Sequence, residues 1–194
     1  MPATPSCSVR AVSVAMLLAA LSGCASLSEN ECRSADWRDI GLQDGLQGKA
    51  LSELERHRRA CADYAISVAE RPYLDGRDEG LRDYCRLDNA FRVGLNGQQY
   101  QGVCPPALDL DFRRYNDTAY GVYKLKKDIA GLDSQIDAKE RRLRDKDLGD
   151  KEKLRLYDEL RDLDRRRDRQ RDDLAYQERA LDRMMDELRR HPGR

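Results

Sequence analysis

Four cysteines in the first half of the chain carry its most evident chemistry. Cys32, Cys61, Cys85 and Cys104 stand apart from one another, and His57 lies four residues before Cys61. Thiolates combined with an imidazole are the ligands of many structural zinc sites. An even number of cysteines is equally typical of a small domain that is stapled by disulfides in an oxidising compartment. The compartment therefore decides between the two chemistries.

The N-terminal segment indicates that compartment. Arg10 precedes residues 11–21, which are apolar apart from one serine and too few to cross a bilayer, which takes about 20 residues. The stretch ends in Leu21-Ser22-Gly23-Cys24, which has the form of a bacterial lipobox. This combination is typical of a cleaved lipoprotein signal peptide.

The expected modification is on Cys24. Residues 1–23 would be removed as the signal peptide, and Cys24 would carry palmitate-type acyl chains that anchor the mature protein to a membrane. In lipoproteins with this kind of leader, Asp after the lipidated cysteine favours retention in the inner membrane. Ala25 stands at that position here, so we expect a lipid-anchored protein of the bacterial outer membrane that faces the periplasm.

An oxidising periplasm favours disulfides over a metal site. Three pairings of the four remaining cysteines are open, and the shortest loops favour Cys32 with Cys61 and Cys85 with Cys104. Each bond would add about 3 kcal/mol to the free energy of unfolding. His57 would then be a surface histidine on an arginine-rich helix, so we expect no metal and no cofactor.

A group of carboxylates is the other candidate for chemistry. Paired carboxylates can perform acid–base catalysis, but here neither a nucleophile nor a phosphate-binding loop accompanies them. Arg77 and Arg82 flank the group, which we interpret as solvated surface charge; we expect no enzymatic activity. The carboxylates are those of Asp75, Asp78, Glu79 and Asp83.

The overall charge excludes a strongly basic surface. Lys and Arg together number 36, the same as Asp and Glu together, which argues against nucleic-acid binding. Even the arginine-rich run 165–171 is interleaved with aspartates, as in a salt-bridged helix face. Charged residues make up 37% of the chain and aromatic residues only 6%, so any core must be small or elongated.

Cys104-Pro105-Pro106 divides the mature chain, because a double proline ends regular structure. Residues 24–106 hold most of the glycines and the four paired cysteines, and we predict a small helical domain there. Residues 107–194 are rich in charge and poor in glycine, and we predict a long helical hairpin. The expected fold is therefore all-α.

Within residues 24–106, an aromatic residue is followed three times by glycines at helical spacing. The runs are Trp37-x3-Gly41-x3-Gly45, Tyr73-x2-Gly76-x3-Gly80 and Phe91-x2-Gly94-x2-Gly97. This spacing predicts a glycine-lined helix face over which an aromatic ring of a neighbour could lie. Residues 91–103 also suit a β-hairpin, because Asn96-Gly97 is a strong turn signal; the likeness to the other two runs favours a helix.

Two heptad seams follow, on either side of a turn predicted near residues 148–150. Gly149 would end the first helix and Asp150 would cap the second. Folding the chain back at this turn brings the seams into one register, as an antiparallel coiled-coil hairpin requires. The apolar layers pair Leu143 with Leu156, Ile136 with Leu163 and Leu125 with Leu174, whereas polar layers pair Leu132 with Arg167, Ile129 with Gln170 and Val122 with Gln177.

Four aromatic residues of the glycine-rich domain have two interpretations. Trp37, Tyr73, Tyr84 and Tyr100 could line a binding surface for peptidoglycan or a small envelope ligand. They could instead form the core of a small domain, which the scarcity of other aromatic residues favours.

Residues 24–105 resemble a group of bacterial lipoproteins catalogued only as a domain of unknown function. The resemblance rests on Cys32, Ala35-Asp36-Trp37, Gly41-x2-Asp44-Gly45-x2-Gly48, His57-x3-Cys61, Tyr73-x2-Gly76-x3-Gly80-Leu81-x2-Tyr84-Cys85 and Gly94-x2-Gly97-x2-Tyr100-x2-Val103-Cys104-Pro105. It implies a lipid anchor and an envelope location but no activity.

The expected function is that of a structural or adaptor lipoprotein. The hairpin would reach into the periplasm and bind a protein partner or a second copy of the chain, and the polar seam layers are the sites where another helix could dock. The alternative is a ligand- or peptidoglycan-binding module built on the glycine-rich domain.

Overall fold

The computed structural model describes residues 27–191, and their regular structure is helical, which confirms the all-α prediction. The helices are α1 (Glu29–Ser34), α2 (Trp37–Leu46), α3 (Ser52–Ala62), α4 (Glu70–Tyr84), α5 (Leu87–Leu95), α6 (Pro106–Leu143) and α7 (Asp150–Arg190). The lipobox and the predicted signal peptide lie outside the described residues. None of the helices in the described part combines the length and apolar character needed to cross a bilayer.

Helices α2 and α4 run parallel and touch through their glycines. A Cβ at Gly41 would overlap the carbonyl oxygen of Tyr73, and a Cβ at Gly76 would overlap that of Arg38. One turn further along both helices, Gly45 and Gly80 repeat the arrangement. The prediction of a glycine-lined face is confirmed, but the partner of these four glycines is backbone rather than an aromatic ring. Such close approach allows weak Cα–H···O contacts that a larger residue would prevent.

The second parallel pair, α5 with the first third of α6, resembles the first. A Cβ at Gly94 would overlap the backbone of Asn116 and the side chain of Ala119. Both pairs also share a glycine just after their first helix. Gly48 has a φ of +64° and lies against the ring of Tyr84, and Gly97 has a φ of +79° and lies against the ring of Tyr123. The predicted contact between ring and glycine therefore occurs at the turns.

The Asn96-Gly97 signal marks a helix end and not a β-hairpin. Helix α5 ends at Leu95, and the amide of Gln98 donates to the carbonyl of Val93, which satisfies an otherwise orphaned helix-terminal acceptor. The left-handed conformation that favours Asn-Gly in a tight turn is used here to terminate the helix. The glycine at 97 consequently lies beyond the helix face on which the spacing had placed it.

Helices α6 and α7 form the predicted antiparallel hairpin. All predicted seam positions on both helices are buried or half-buried, and ion pairs between Lys139 and Glu159 and between Lys126 and Glu178 lie close to the predicted register. The helices contain 38 and 41 residues, which corresponds to about 57 and 62 Å.

The turn differs from the prediction in detail. Helix α6 ends at Leu143, so Gly149 does not terminate it but lies at the N-cap of α7, where its carbonyl accepts from the amides of Glu152 and Lys153. Asp150 is the first helical residue rather than the cap, a position where its negative charge favours the helix dipole.

The expected boundary at residue 106 coincides with the start of α6 but not with a break in packing. One apolar cluster runs from Leu81 through Phe112 to Leu181, so the first part of α6 and the last part of α7 share a core with α4 and α5. A second cluster around Tyr73 holds α1 to α4 together. A third, at Leu132, Ile136, Leu160 and Leu163, lies within the hairpin alone.

Candidate functional site

A buried carboxylate, Asp44 on α2, is the centre of the most concentrated polar cluster. One of its oxygens, Oδ2, accepts hydrogen bonds from the hydroxyl of Tyr73 and from Nε2 of His57, both at 2.8 Å. The other, Oδ1, accepts from Nζ of Lys49 at 2.9 Å. Asp44 is 3% exposed, Tyr73 0% and His57 4%, so this cluster lies inside the domain.

Opposing effects set the pKa of the Asp44 carboxyl. Burial raises it, whereas the hydrogen bonds from His57, Lys49 and Tyr73 lower it, and the net result is a pKa of about 2. The same contact acts in reverse on Tyr73, whose pKa is raised by burial and by the neighbouring Asp44 carboxylate. Asp44 is therefore an anion, and Tyr73 a neutral donor to it, at physiological pH.

The Asp44 contribution to stability should depend on pH. The folded-state pKa of about 2 lies below the reference value of 3.8, so the stabilisation is complete above pH 3.8 and is lost as the pH falls through about 2. Its size is on the order of 2 kcal/mol. Urea unfolding of the native protein and of Asp44→Asn should give a difference in stability that shrinks as the pH falls below about 4. A difference that does not change with pH would contradict this assignment.

Arg77, on α4, adds a buried cation beside this cluster. Its Nη2 donates to the carbonyl of Lys49 at 2.8 Å, just beyond the C-terminus of α2, where a positive charge complements the helix dipole. Its Nε has no hydrogen-bond partner among residues 27–191. The guanidinium and the Asp44 cluster together tie the end of α2 to α3 and α4.

The four aromatic residues proposed as a binding surface are all buried. Trp37 is 8% exposed, Tyr73 0%, Tyr84 3% and Tyr100 5%. Tyr73 bonds to Asp44, and the ring of Tyr84 stacks on Phe112. These residues form the cores of the two parallel helix pairs, so they do not provide an exposed aromatic surface.

The cysteines form the favoured pairs, Cys32 with Cys61 and Cys85 with Cys104. Their sulfurs are therefore not available as metal ligands beside His57. The expectation of a surface histidine is wrong, because His57 is buried between Trp37 and Tyr73 and bonds to Asp44.

The carboxylates of α4 do not converge on a site. Asp75, Asp78 and Asp83 are exposed, and Glu79 forms an ion pair with Arg38 across the α2–α4 crossing. The arrangement agrees with the interpretation as surface charge.

Asn116 on α6 is another buried polar side chain, and no motif in the sequence predicts its burial. It is 0% exposed; its Oδ1 accepts from the amide of Tyr100 at 2.8 Å, and its Nδ2 donates to the carbonyl of Gln98 at 3.0 Å. It thus fixes the irregular segment before α6 as Asp44 fixes the segment after α2. Only its position next to Tyr115, which lies one heptad before the seam residue Val122, could have suggested burial.

One polar layer of the hairpin, that of Arg167, contains ion pairs. Arg167 reaches Asp164 at 2.7 Å and Asp133 at 3.6 Å, in the layer that faces Leu132. Its Nε and the Oε1 of Gln170 are buried without a hydrogen-bond partner in the described part of the chain. These layers therefore lower stability while helping to fix the register.

The match to a protein family covers the region that holds the Asp44 cluster and Asn116. Residues 36–120 match the model of a family described as "Protein of unknown function (DUF2799)". Over 71 residues the chain is 30% identical to "Uncharacterized protein YfiL" of Escherichia coli (strain K12), a match that covers 37% of this chain and 54% of that protein. The chain thus spans about half the length of this curated relative. No solved structure gives a significant match.

The family match runs past residue 106 to residue 120, so it includes the part of α6 that packs against α5. It ends two residues before Val122, the last residue of α6 in the shared core. Together the two matches support similarity to a bacterial family of unknown function.

Proposed function

We propose that this protein is a lipid-anchored component of the bacterial outer membrane that acts, without catalysis, as a structural or adaptor module through its helical hairpin. The lipobox at Cys24 supports the anchor, and the architecture of the hairpin supports the adaptor role. In this proposal the two polar clusters have a structural role, because the hydrogen bonds of Asp44 and Asn116 connect helix ends to neighbouring segments.

The extension of the hairpin beyond the shared core is the observation that carries the adaptor role. The distal apolar cluster contains only residues of α6 and α7, whereas the proximal part packs on α5. An extended arm with a small core of its own adds little stability to the domain but presents a long surface. Near its tip, Leu154 is 68% exposed and Tyr157 54%.

Crosslinking in cells tests the adaptor role. A photoreactive amino acid at position 157, near the tip, should give a discrete adduct with a partner protein or a second copy. The matched control is position 64, also an exposed tyrosine but on the glycine-rich domain, where we expect no comparable adduct. The same pattern at both positions, or no adduct at either, would contradict an adaptor role for the hairpin.

The anchor has a separate test. We expect mass spectrometry of the mature protein to find an N-terminal peptide that starts at acylated Cys24, because the lipobox directs both cleavage and lipidation. Cys24→Ala should abolish the acylated peptide and leave the leader uncleaved, since both steps act at this cysteine. An uncleaved, unmodified leader would refute the anchor.

A further inference from the structure

The outer face of α7, opposite the seam, carries an ordered stripe of side chains. Its positions advance by three or four residues, so they follow one side of the helix. Tyr176 is 61% exposed, as Leu154 and Tyr157 are at the other end, and the charged members are exposed as well. In chain order the stripe contains Leu154, Tyr157, Arg161, Arg165, Asp168, Asp172 and Tyr176.

The order of charges in this stripe is self-complementary for an antiparallel partner. Two arginines are followed by two aspartates, and a tyrosine flanks each end. If a second α7 lies antiparallel and the pair is centred between residues 166 and 167, Arg161 faces Asp172 of the second copy and Arg165 faces its Asp168. Tyr157 then faces Tyr176 of the second copy. Two-fold symmetry repeats every pair, which gives four ion pairs and two tyrosine pairs.

Other arrangements of the same two faces bring like charges together. A slip of seven residues in one direction places Arg161 opposite Arg165, and a slip in the other direction places Asp168 opposite Asp172. A parallel, in-register pair sets every residue against itself. Like charges at close range disfavour these three alternatives.

The ion pairs that the two arginines form within α7 would not prevent them from pairing with a second copy. Arg165 bonds to Asp162 at 3.3 Å within α7, and Arg161 bonds to Asp158, both as exposed pairs one helical turn apart. Exposed ion pairs of this kind contribute little, so replacing them by pairs across an interface costs little. The tyrosines add amphipathic contact area that charge alone does not supply.

We propose that the outer face of α7 is a dimerisation surface whose occupant is the same face of a second copy, antiparallel and centred between residues 166 and 167. This inference rests on the proposed adaptor function and names a second copy as the partner of the hairpin.

A charge-swap experiment tests the surface. The full chain in detergent solution should form a dimer in sedimentation velocity. Arg161→Asp with Arg165→Asp makes the stripe wholly acidic, and Asp168→Arg with Asp172→Arg makes it wholly basic; each variant should weaken the dimer at least about tenfold. An equimolar mixture of the two variants should recover it as a heterodimer. A single chain with all four changes should dimerise like the native protein.

The matched control reverses two exposed charges on the outer face of α6, Lys127→Asp with Arg141→Asp, and should leave the dimer unchanged. Helical content measured by circular dichroism verifies that each variant folds.

A native chain that stays monomeric, or a mixture that fails to recover the dimer, would overturn the inference. If the native chain is monomeric but position 157 still crosslinks to another protein in cells, the inference fails and the adaptor function stands. If position 157 gives no adduct in cells, the adaptor function fails and the inference fails with it, because the proposed dimer places Tyr157 against Tyr176 of the second copy.

Discussion

Replacing Gly41 and Gly76 together by alanine is expected to lower the free energy of unfolding by at least about 4 kcal/mol. Each new Cβ would overlap a backbone carbonyl oxygen of the facing helix, and a backbone atom cannot move aside as a flexible side chain can. Overpacking costs about 1–3 kcal/mol at an ordinary core site. Two backbone clashes on opposite sides of one crossing should reach the upper end of that range at both positions. Urea unfolding followed by circular dichroism measures the loss.

The chain offers a matched control for this pair. Gly121 and Gly131 lie on α6 with no atom within 4 Å of where a Cβ would be. Alanine at both positions should stabilise the protein, by up to about 1 kcal/mol each, because alanine has the higher helix propensity. If both double variants changed stability in the same direction and by similar amounts, the α2–α4 crossing would not depend on backbone contact.

The hairpin could be predicted in register because its signal is local and repeated. Each of the seam positions adds to the same pattern, and a single turn fixes the pairing of all layers. The turn itself was less predictable, since Gly149 suits both the end of one helix and the start of the next. The chain uses Gly149 for the second role, and α6 ends six residues earlier.

The polar clusters could not be predicted because they depend on contacts between distant segments. Asp44 lies between two glycines that face α4, so the helix presents it to the interior, but its three donors come from a turn, from α3 and from α4. His57 was expected at the surface for the same reason. The many arginines of α3 predict an exposed helix, and the sequence does not show which face is buried. The packing of α6 and α7 against α4 and α5 is likewise non-local. The double proline at residue 106 predicts a boundary there and gives no sign of this contact.

Removing the Asp44 carboxylate should be the most damaging single change in the glycine-rich domain. Asp44→Ala would leave the buried hydroxyl of Tyr73 and the ring nitrogen of His57 without their shared acceptor, and would leave the charge of Lys49 unbalanced. Leaving a buried donor without an acceptor costs about 1–3 kcal/mol, and the Tyr73 hydroxyl and His57 Nε2 are two such donors. We therefore expect a loss of about 4 kcal/mol at neutral pH, measured by urea unfolding.

Two further variants separate the charge from the general effect of substitution. Tyr73→Phe removes one donor but leaves Asp44 paired with His57 and Lys49, so it should cost about 1 kcal/mol. Asp75→Ala removes an exposed carboxylate from α4 and should change stability by less than about 0.5 kcal/mol. Asp44→Ala should be far the most destabilising, because it alone leaves buried donors without an acceptor. Equal effects of Asp44→Ala and Asp75→Ala would show that the buried carboxylate is not what ties α2 to α3 and α4.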